Sequence, residues 1–476
     1  MKFIGRKREI ELLKALRSRK MAALVVIKGR RRIGKSRLAA EFSQGERFIN
    51  ITGMTPEPGT TAQDQRNLFS HQMETAFQKP TTKFQDWMDG LSQLSSYLTN
   101  EPTVILFDEI SWMGSLDPTF IPKLKVWWDQ DLQHRQNVIL IFCGSVSTWI
   151  EANILKSTSF FGRISQVIEL SPLSIYESNT FLNQLGFKGS DLDRFKLLSV
   201  LGGIPWYLEQ VSPNETADQT IHRLCFENKG LLTIEFDRIF HDLFSHKGEV
   251  YKNMMISLNE GMKTLGEIRQ TINYHKSGTL SSLMGHLIIA GFVTQFPQWS
   301  IRTGKVRRQS LYRISDPYMR FYLKYIAPNL DKIEKGHITD MGNLPGYKTM
   351  MGFQVESLLL QNRNDILRTI GIKPVDIIYD NPYIQLALTR QKGCQIDYLV
   401  QTTTNNLYAC EFKFRQGELK KDIINEVSEK INALSKPKGY AVVPVLFHVG
   451  GVSESVEESR FFYRIVDIGD LLEAPD

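Results

Sequence analysis

Five short apolar runs alternate with longer amphipathic stretches over the first 170 residues. They are AALVVIKG, RFINITG, TVILFDE, NVILIFCGS and SQVIEL. Strands that are apolar at nearly every position are typical of a parallel sheet that is covered by helices on both faces. The pattern therefore predicts an α/β core with a parallel five-stranded sheet over residues 1–173.

The pattern changes twice beyond this core. Over residues 174–246 helical periodicity replaces the apolar runs, which predicts a helical lid beside the sheet. Residues 247–326 predict three helices and then a hairpin with strands FVTQFP and SLYRIS, the arrangement of a winged helix-turn-helix. A polar stretch broken by Pro and Gly predicts a linker over residues 327–349.

The last segment, residues 350–476, predicts a mixed α/β domain. It opens with the helical stretch GFQVESLLLQN and continues with the strand candidates VDIIYD, IQLALT, QIDYLVQ and LYACEFKF. A helix, DIINEVSEKINAL, and an apolar run, GYAVVPVLFHV, follow.

Composition narrows the class of protein. The chain of 476 residues carries a net charge of +7, which permits an anionic partner such as nucleic acid. Its four cysteines stand singly, without a CxxC or Cys/His cluster, which argues against structural zinc and disulfides and for a reducing cytoplasm. No apolar run reaches membrane-spanning length and the first residues lack a secretory signal, so we expect a cytoplasmic protein without a membrane partner.

The stretch VIKGRRRIGKSRL contains the pattern GxxxxGKS directly after a predicted strand and before a predicted helix. In that context Gly29 and Gly34 let backbone N–H groups wrap phosphate, Lys35 reaches the β- and γ-phosphates, and Ser36 binds Mg²⁺. A chance match is the alternative, and the strand–loop–helix context argues against it. The predicted nucleotide-binding loop consists of Gly29, Arg30, Arg31, Arg32, Ile33, Gly34, Lys35, Ser36 and Arg37.

The stretch TVILFDEI supplies two carboxylates at the end of a predicted parallel strand. Asp108 is placed to hold the hydration shell of Mg²⁺, and Glu109 to polarise the attacking water. An acidic strand-to-loop turn is the alternative. Together with the phosphate loop, the pair predicts a domain that binds and hydrolyses a nucleoside triphosphate.

These motifs resemble those of the archaeal-type ATPase family, which belongs to the AAA+/STAND group of P-loop ATPases. The resemblance rests on FIGRKREIELL, GRRRIGKS, LFDEI, FCGS and FFGRISQVIEL followed by GGIPWYL, and it covers residues 1–325. It implies ATP as the nucleotide.

The resemblance also implies roles for five further residues. Gly5 and Arg6 would shape an adenine pocket, and Ser145 would be a polar sensor. Arg163 would approach the γ-phosphate, and Pro205 would contact the nucleotide from the lid. Arg163 can instead be a surface arginine, and GGIP can be a plain helix stop. We expect a homo-oligomer, with Arg163 acting either in its own subunit or on a neighbour.

The predicted winged helix allows two interpretations. In one it binds DNA, through Lys276, Ser281, Ser282 and His286 at the third helix and Lys305, Arg307 and Arg308 on the wing. In the other it is an intramolecular dock with a solvated basic hairpin tip.

The segment QIDYLVQTTTNNLYACEFKF predicts a hairpin whose register decides its chemistry. If TTTNN is the loop, Gln401 faces Leu407, and counting back places Asp397 opposite Glu411. Lys413 then lies on the same face. A shift of one residue would put the two carboxylates on opposite faces.

Two adjacent carboxylates on an apolar hairpin repel each other unless a divalent cation such as Mg²⁺ or Mn²⁺ lies between them. An aspartate followed by ExK resembles the PD-(D/E)XK nuclease superfamily. That resemblance implies Asp397, Glu411 and, on the opening helix, Glu356 as metal ligands, with Lys413 beside the attacking water. An exposed ion pair, or a degenerate site retained for structure, is the alternative.

The sequence therefore predicts an ATP- and Mg²⁺-dependent ATPase joined to a restriction-endonuclease-like, metal-dependent DNA nuclease domain. The competing hypothesis is a STAND-like signalling or assembly switch, whose terminal domain binds a partner without cleaving it.

Overall fold

The computed structural model describes residues 2–145, 147–244, 248–275, 277–387, 389 and 391–474. The chain divides into two compact units, Met1–Pro172 and Leu173–Asp476. None of the helices in these described stretches is both long and apolar enough to cross a membrane.

A parallel sheet of five strands forms the centre of the first unit, in the order β2-β3-β4-β1-β5. Its strands are β1 (Ala23–Gly29), β2 (Arg47–Thr52), β3 (Thr103–Asp108), β4 (Val138–Gly144) and β5 (Ile164–Leu170). Each of the five apolar runs forms one of these strands, so the predicted parallel α/β sheet is confirmed. Every residue of β4 is buried, which means that both faces of the sheet are covered.

Seven helices of the described chain surround this sheet. They are α1 (Lys7–Ala15), α2 (Lys35–Phe42), α3 (Ala62–Phe77), α4 (Trp87–Tyr97), α5 (Ile110–Gly114), α6 (Phe120–Gln130) and α7 (Ser147–Ile150). Helices α3, α4 and α6 bury aromatic side chains against one face of the sheet, where Phe69 and Trp127 both contact Phe107. This core fixes the strand ends that carry the candidate nucleotide residues.

The second unit begins with helices. These are α8 (Ile175–Leu185), α9 (Asp191–Leu201), α10 (Pro205–Leu208), α11 (Ala217–Cys225) and α12 (Glu235–Phe244). They form the segment in which the sequence predicts a lid. α8 begins with a Ser–Glu capping box and α11 with a Thr–Gln capping box, which explains why these helices start where they do.

Three helices and a small sheet follow. They are α13 (Gly248–Leu258), β6 (Lys263–Thr264), α14 (Leu265–Thr271), α15 (Ser277–Ile289), β7 (Val293–Trp299) and β8 (Val306–Ile314). The strands pair in the order β6-β8-β7. These elements occur where the sequence predicts a winged helix; that assignment of the fold remains a prediction, and Lys276 lies outside the described residues.

The segment predicted to be a linker contains helical turns and buried side chains. After α16 (Pro317–Phe321) come α17 (Leu330–Glu334) and a short turn at Met341–Asn343. Ile333, Ile338 and Met341 are all buried. These side chains pack within the second unit.

A second five-stranded sheet has the order β13-β12-β11-β10-β9. Its elements are α18 (Tyr347–Gln361), α19 (Arg363–Thr369), β9 (Ile377–Gln385), β10 (Cys394–Thr402), β11 (Asn406–Phe414), α20 (Asp422–Ala433), β12 (Ala441–Val449), α21 (Glu454–Glu457) and β13 (Arg464–Asp467). Strands β9, β10 and β11 are antiparallel, and β11, β12 and β13 are parallel. The sheet is therefore mixed, as predicted.

One strand differs from the prediction. VDIIYD and IQLALT were predicted as two strands, but they contribute to the single strand β9, which runs through Pro382. Proline is tolerated here because β9 lies at the edge of the sheet.

The β7–β8 hairpin packs against the terminal sheet. Trp299 is fully buried and stacks near Tyr379 and Tyr383 of β9. Its indole N–H donates to Oε1 of Gln401 at 2.7 Å, and the Gln401 amide donates to the Ile301 carbonyl at 2.9 Å. The hairpin and the terminal sheet thus share one core.

Candidate functional site

The loop between β1 and α2 closes around one lysine. Gly29 ends β1 with φ 149°, and a Cβ there would lie 2.7 Å from the Leu170 carbonyl oxygen, so only glycine fits. Lys35 Nζ donates to the carbonyls of Gly29 and Arg30 at 3.0 and 3.1 Å. Burial lowers the pKa of Lys35. Gly34, with φ 95°, is the N-cap that directly precedes α2, which leaves the helix N-terminus directed at the loop.

The predicted Mg²⁺ residues and the predicted sensor meet at the carboxyl ends of β3 and β4. Ser36 Oγ donates to Asp108 Oδ2 at 2.5 Å. The backbone N–H and the hydroxyl of Ser145 both donate to Glu109 Oε2, at 2.9 and 2.8 Å. The structure therefore brings these four side chains together beside the phosphate loop. Hard oxygen donors at Ser36 and Asp108 fit Mg²⁺.

Gly53 is a site residue that sequence reasoning missed. It follows β2, and its N–H donates to the Asp108 carbonyl at 2.9 Å. A Cβ at this position would lie 2.7 Å from the Glu109 carbonyl oxygen. The glycine therefore allows the backbone of Glu109 to turn into its left-handed conformation, φ 49°. The signal was the Gly that directly follows the strand in RFINITG.

Arg6 lies against the phosphate loop from the N-terminal side. Gly5 and Arg6 both have left-handed backbone, with φ 71° and 59°. The Arg6 guanidinium donates to the carbonyls of Ser171 and Ile33 at 2.6 and 3.5 Å. The residues predicted to shape an adenine pocket are thus adjacent to the loop, and their contact with a nucleotide remains a prediction.

Arg163 lies at the amino ends of the parallel strands, whereas the phosphate loop lies at their carboxyl ends. It precedes Ile164, which pairs with Leu24 near the start of β1, whereas the phosphate loop begins at Gly29. The part of β1 from Leu24 to Gly29 spans about 17 Å. Arg163 instead forms a two-point ion pair with Asp129, at 2.6 and 2.9 Å, which lowers the pKa of Asp129 to about 2. The structure does not bring Arg163 to the loop of its own chain.

Pro205 is the first residue of α10, in the second unit. The presence of glycine at position 203, before this proline, has a structural explanation. A Cβ at Gly203 would lie 2.1 Å from the Leu173 carbonyl oxygen, and Leu173 N donates to the Gly203 carbonyl at 2.7 Å. The motif GGIP therefore permits a close approach of two backbone segments, and the role of Pro205 at the nucleotide stays a prediction.

Comparison with known proteins agrees with this geometry. Residues 3–211 match the model of a family described as an ATPase domain predominantly from Archaea. The N-terminal unit is an ATPase-type P-loop domain. The chain is 24% identical over 365 residues to an uncharacterized protein of Methanocaldococcus jannaschii, a match that covers 75% of this chain and 76% of the relative.

A solved structure shows a similar fold. It is a Walker-type ATPase of Pyrococcus abyssi, 16% identical, with a TM-score of 0.51 over 67% of this chain and 96% of that chain. At this identity the likeness shows the fold of the P-loop ATPase and no more.

Beyond the P-loop domain, the terminal hairpin has the predicted register. Gln401 pairs with Leu407 and Tyr398 with Cys410, so the next step places Asp397 opposite Glu411. Asp397 Oδ2 accepts a hydrogen bond from the Phe412 N–H at 3.0 Å. On its other side β10 has a bulge between Ile396 and Leu399. Bulges of this kind change the direction of side chains and are common beside functional sites.

Glu411 is 3% exposed and is held by two lysines. Lys430 Nζ donates to both carboxylate oxygens at 2.7 Å, and Lys413 Nζ lies 2.8 Å from Oε1. Lys413 also donates to Glu426 at 2.7 Å. Sequence reasoning missed Lys430; the signal was the i, i+4 pair of Glu426 and Lys430 on one face of the predicted helix.

Glu356 also has a cationic partner. Its carboxylate accepts from Arg313 at 2.6 Å, and both side chains are buried. Burial, and then the charges of Glu411 and Glu356, raise the pKa of Asp397 to about 7. In the part of the chain that the structure describes, no three His, Cys, Asp or Glu side chains are grouped closely enough to hold a metal ion. Glu356, Asp397 and Glu411 are therefore near one another without forming a preassembled metal centre.

The residues predicted to bind DNA separate into two groups. His286 is bonded through Nδ1 to the Tyr251 hydroxyl at 2.6 Å, so that nitrogen is directed into the helical module. On the wing, Lys305, Arg307 and Arg308 are exposed. Among the predicted DNA-binding residues that the structure describes, the cations presented to solvent are therefore those of the wing.

Proposed function

We propose that this chain binds and hydrolyses ATP, and that the nucleotide state changes the conformation of the helices that follow the P-loop domain. The observation that carries the proposal is the convergence of Ser36, Asp108, Glu109 and Ser145 at the strand ends beside the phosphate loop.

The chemistry follows from the positions of these side chains. Lys35 Nζ would exchange its two carbonyl acceptors for phosphate oxygens, which a cation stabilises strongly in a buried site. Ser36 and Asp108 would hold Mg²⁺, which supplies neutralisation of phosphate charge when it is bound. Ser145 donates to Oε2 of Glu109, and Oε1 would orient a water toward the γ-phosphate.

The test compares ATP turnover by Lys35→Ala and by Lys20→Ala, a control that removes an exposed lysine outside the loop. We expect Lys35→Ala to lose about a hundredfold or more in turnover, because one preorganised charge contact to the reacting group is removed. Lys20→Ala should keep the wild-type rate. Equal turnover by the two variants would contradict the proposal.

A second candidate function is metal-dependent cleavage of DNA by the terminal domain. The observation in its favour is the position of Asp397 opposite Glu411, with Lys413 bonded to the same carboxylate. Lys430, however, takes both oxygens of Glu411, so these side chains as arranged do not fit a metal centre. The competing proposal is an ATP-driven switch whose terminal domain binds a partner without cleaving it.

One experiment separates these two proposals. The wild-type chain, Glu411→Ala and the control Glu418→Ala, which removes an exposed carboxylate, are incubated with plasmid and linear DNA. Mg²⁺ or Mn²⁺ is supplied, with and without ATP. Cleavage that Glu411→Ala loses and Glu418→Ala keeps would support a nuclease. No cleavage by the wild type under any condition would leave the switch.

The remaining proposals concern organisation and partners. Residues 247–326 form a winged helix whose exposed wing cations, Lys305, Arg307 and Arg308, bind the backbone of DNA. Residues 350–476 form the restriction-endonuclease-like domain. The position of Arg163, far from its own phosphate loop, favours a homo-oligomer in which it reaches the loop of a neighbour.

A further inference from the structure

A cavity of about 540 Å³ lies within the second unit and extends to Gln395, two residues before Asp397 on β10. Residues of β8, α16 and α18 line much of it, with others from the loop before β6 and from β9 and β10; the lining includes Arg313, Arg320, Lys324, Phe353 and Glu356. Its volume falls in the range of small-molecule sites, roughly 300–1,000 Å³. The P-loop domain contributes no residue to this lining, so the cavity is a separate feature.

The cavity carries more positive charge than its carboxylates offset. Arg313 and Arg320 are each 5% exposed, and Glu356 pairs with Arg313. Among the residues that the structure describes, the hydrogen bonds of Arg320 go to neutral acceptors: the Phe353 carbonyl, Ser357 Oγ and the Ile314 carbonyl. A buried cation that a neighbouring carboxylate offsets only in part is costly, and an anion in the cavity would lower that cost.

The rim adds to this charge. Lys324 is exposed and has no ion-pair partner among the described residues. Glu260, the other carboxylate of the lining, is already paired with Lys263 at 3.3 Å. The hydrogen bonds between described residues use two of the five N–H groups of Arg313. Guanidinium groups suit phosphate oxygens because they offer several donors in one plane.

An aromatic ring lies at the same cavity. Phe353 is 49% exposed, an unusual position for a phenylalanine on a helix that is otherwise largely buried. Met350 and Ile384 extend the apolar part of the lining. Nucleobases stack on exposed aromatic rings in this way, without regard to sequence.

The geometry points to a nucleotide site in this cavity, with the phosphate at Arg313, Arg320 and Lys324 and the base against Phe353. The ligand is either a free nucleotide or the phosphorylated end of a single strand, since both present the same groups. The Phe353 carbonyl accepts from Arg313 and Arg320, at 2.9 and 3.3 Å, so β8, α16 and α18 meet at this point and an occupant would contact all three. This site does not depend on ATP hydrolysis at the P-loop.

The test uses the full chain with Lys35→Ala, which weakens binding at the phosphate loop. AMP, adenosine and a 5′-phosphorylated four-nucleotide thymidine strand are titrated by calorimetry. Lys324→Ala and Phe353→Ala are then added one at a time. Their controls are Lys373→Ala and Phe161→Ala, which remove an exposed lysine and an exposed ring elsewhere. Each cavity variant should weaken binding about tenfold, and the controls should not.

The outcomes are distinct. Binding of AMP alone identifies a free nucleotide, and binding of the strand alone identifies a strand end; both support the site. The inference is overturned if neither probe binds at millimolar concentration, or if adenosine binds as tightly as AMP. It is also overturned if both cavity variants bind as tightly as their controls. Lys324→Arg keeps the charge and should retain the affinity, which separates lost recognition from lost folding.

Discussion

At the scale of single residues, the candidate nucleotide site is organised by pairs of side chains. Ser36 is held by Asp108 and Glu109 is held by Ser145, so each predicted catalytic or metal-binding group has a partner that fixes its direction. Fixed direction matters because a group misplaced by about 1 Å can lose roughly a hundredfold in rate. The Ser145 hydroxyl is therefore expected to orient the Glu109 carboxylate for catalysis.

We expect Ser145→Ala to lower kcat for ATP by about tenfold to a hundredfold and to change KM little. The substitution removes one of the two bonds that hold Glu109 Oε2, and it leaves the phosphate loop intact. Ser145→Thr should recover most of the rate. Ser115→Ala, which removes an exposed hydroxyl, is the matched control. A KM that rises while kcat stays constant would contradict this positioning role.

The Asp397 carboxylate predicts a pH dependence of stability. Its pKa is raised to about 7 from 3.8, because burial and two nearby carboxylates disfavour its charge. Its contribution to stability is therefore fully present below about pH 4 and is lost as the pH rises through 7. Asp397→Asn should remove this loss and raise the stability at pH 8, relative to pH 5, by about 2–3 kcal/mol.

Thermal unfolding at pH 5 and pH 8 measures this difference. Glu429→Gln is the control, because it neutralises an exposed carboxylate of the same domain. A change in Tm that is the same at both pH values would show that Asp397 does not titrate in this range.

At the scale of elements, sequence patterns predicted what depends on local periodicity. The apolar runs identified all five strands of the first sheet, and the loop TTTNN gave the register of β10 and β11. The single strand β9 was missed because the tolerance of Pro382 depends on an edge position, which is a tertiary property. Lys430 and Arg313, the partners of Glu411 and Glu356, come from other elements, so spacing along the hairpin did not reveal them.

The β7–β8 hairpin offers a test at this scale. Trp299→Ala should destabilise the second unit by about 3–5 kcal/mol, because it leaves a large cavity in the core shared with the terminal sheet. It also leaves Gln401 Oε1 without its indole donor. Denaturant unfolding measures the change. Arg302→Ala, at the exposed end of the hairpin, should cost less than about 0.5 kcal/mol. A similarly small effect of Trp299→Ala would mean that the hairpin is not docked in solution.

At the scale of the whole molecule, the first sheet separates the phosphate loop from Arg163. The loop follows the carboxyl end of β1, and Arg163 precedes the amino end of the parallel strand β5. Arg163 can therefore act on a γ-phosphate only at the loop of another subunit; otherwise it has the structural role of pairing with Asp129. As an ion pair near the surface, that contact would be worth at most about 1 kcal/mol.

Mixing two inactive variants distinguishes these roles. If Arg163 acts on a neighbour, Arg163→Ala and Lys35→Ala will each hydrolyse ATP poorly. Their mixture will regain activity, because a Lys35→Ala subunit supplies its arginine to the intact loop of an Arg163→Ala subunit. Asp129→Ala, which removes the partner of Arg163 within the chain, should keep the ATPase rate. Full activity of Arg163→Ala alone would show that Arg163 has no role in hydrolysis beyond its ion pair with Asp129. A mixture no more active than its components would contradict action on a neighbour.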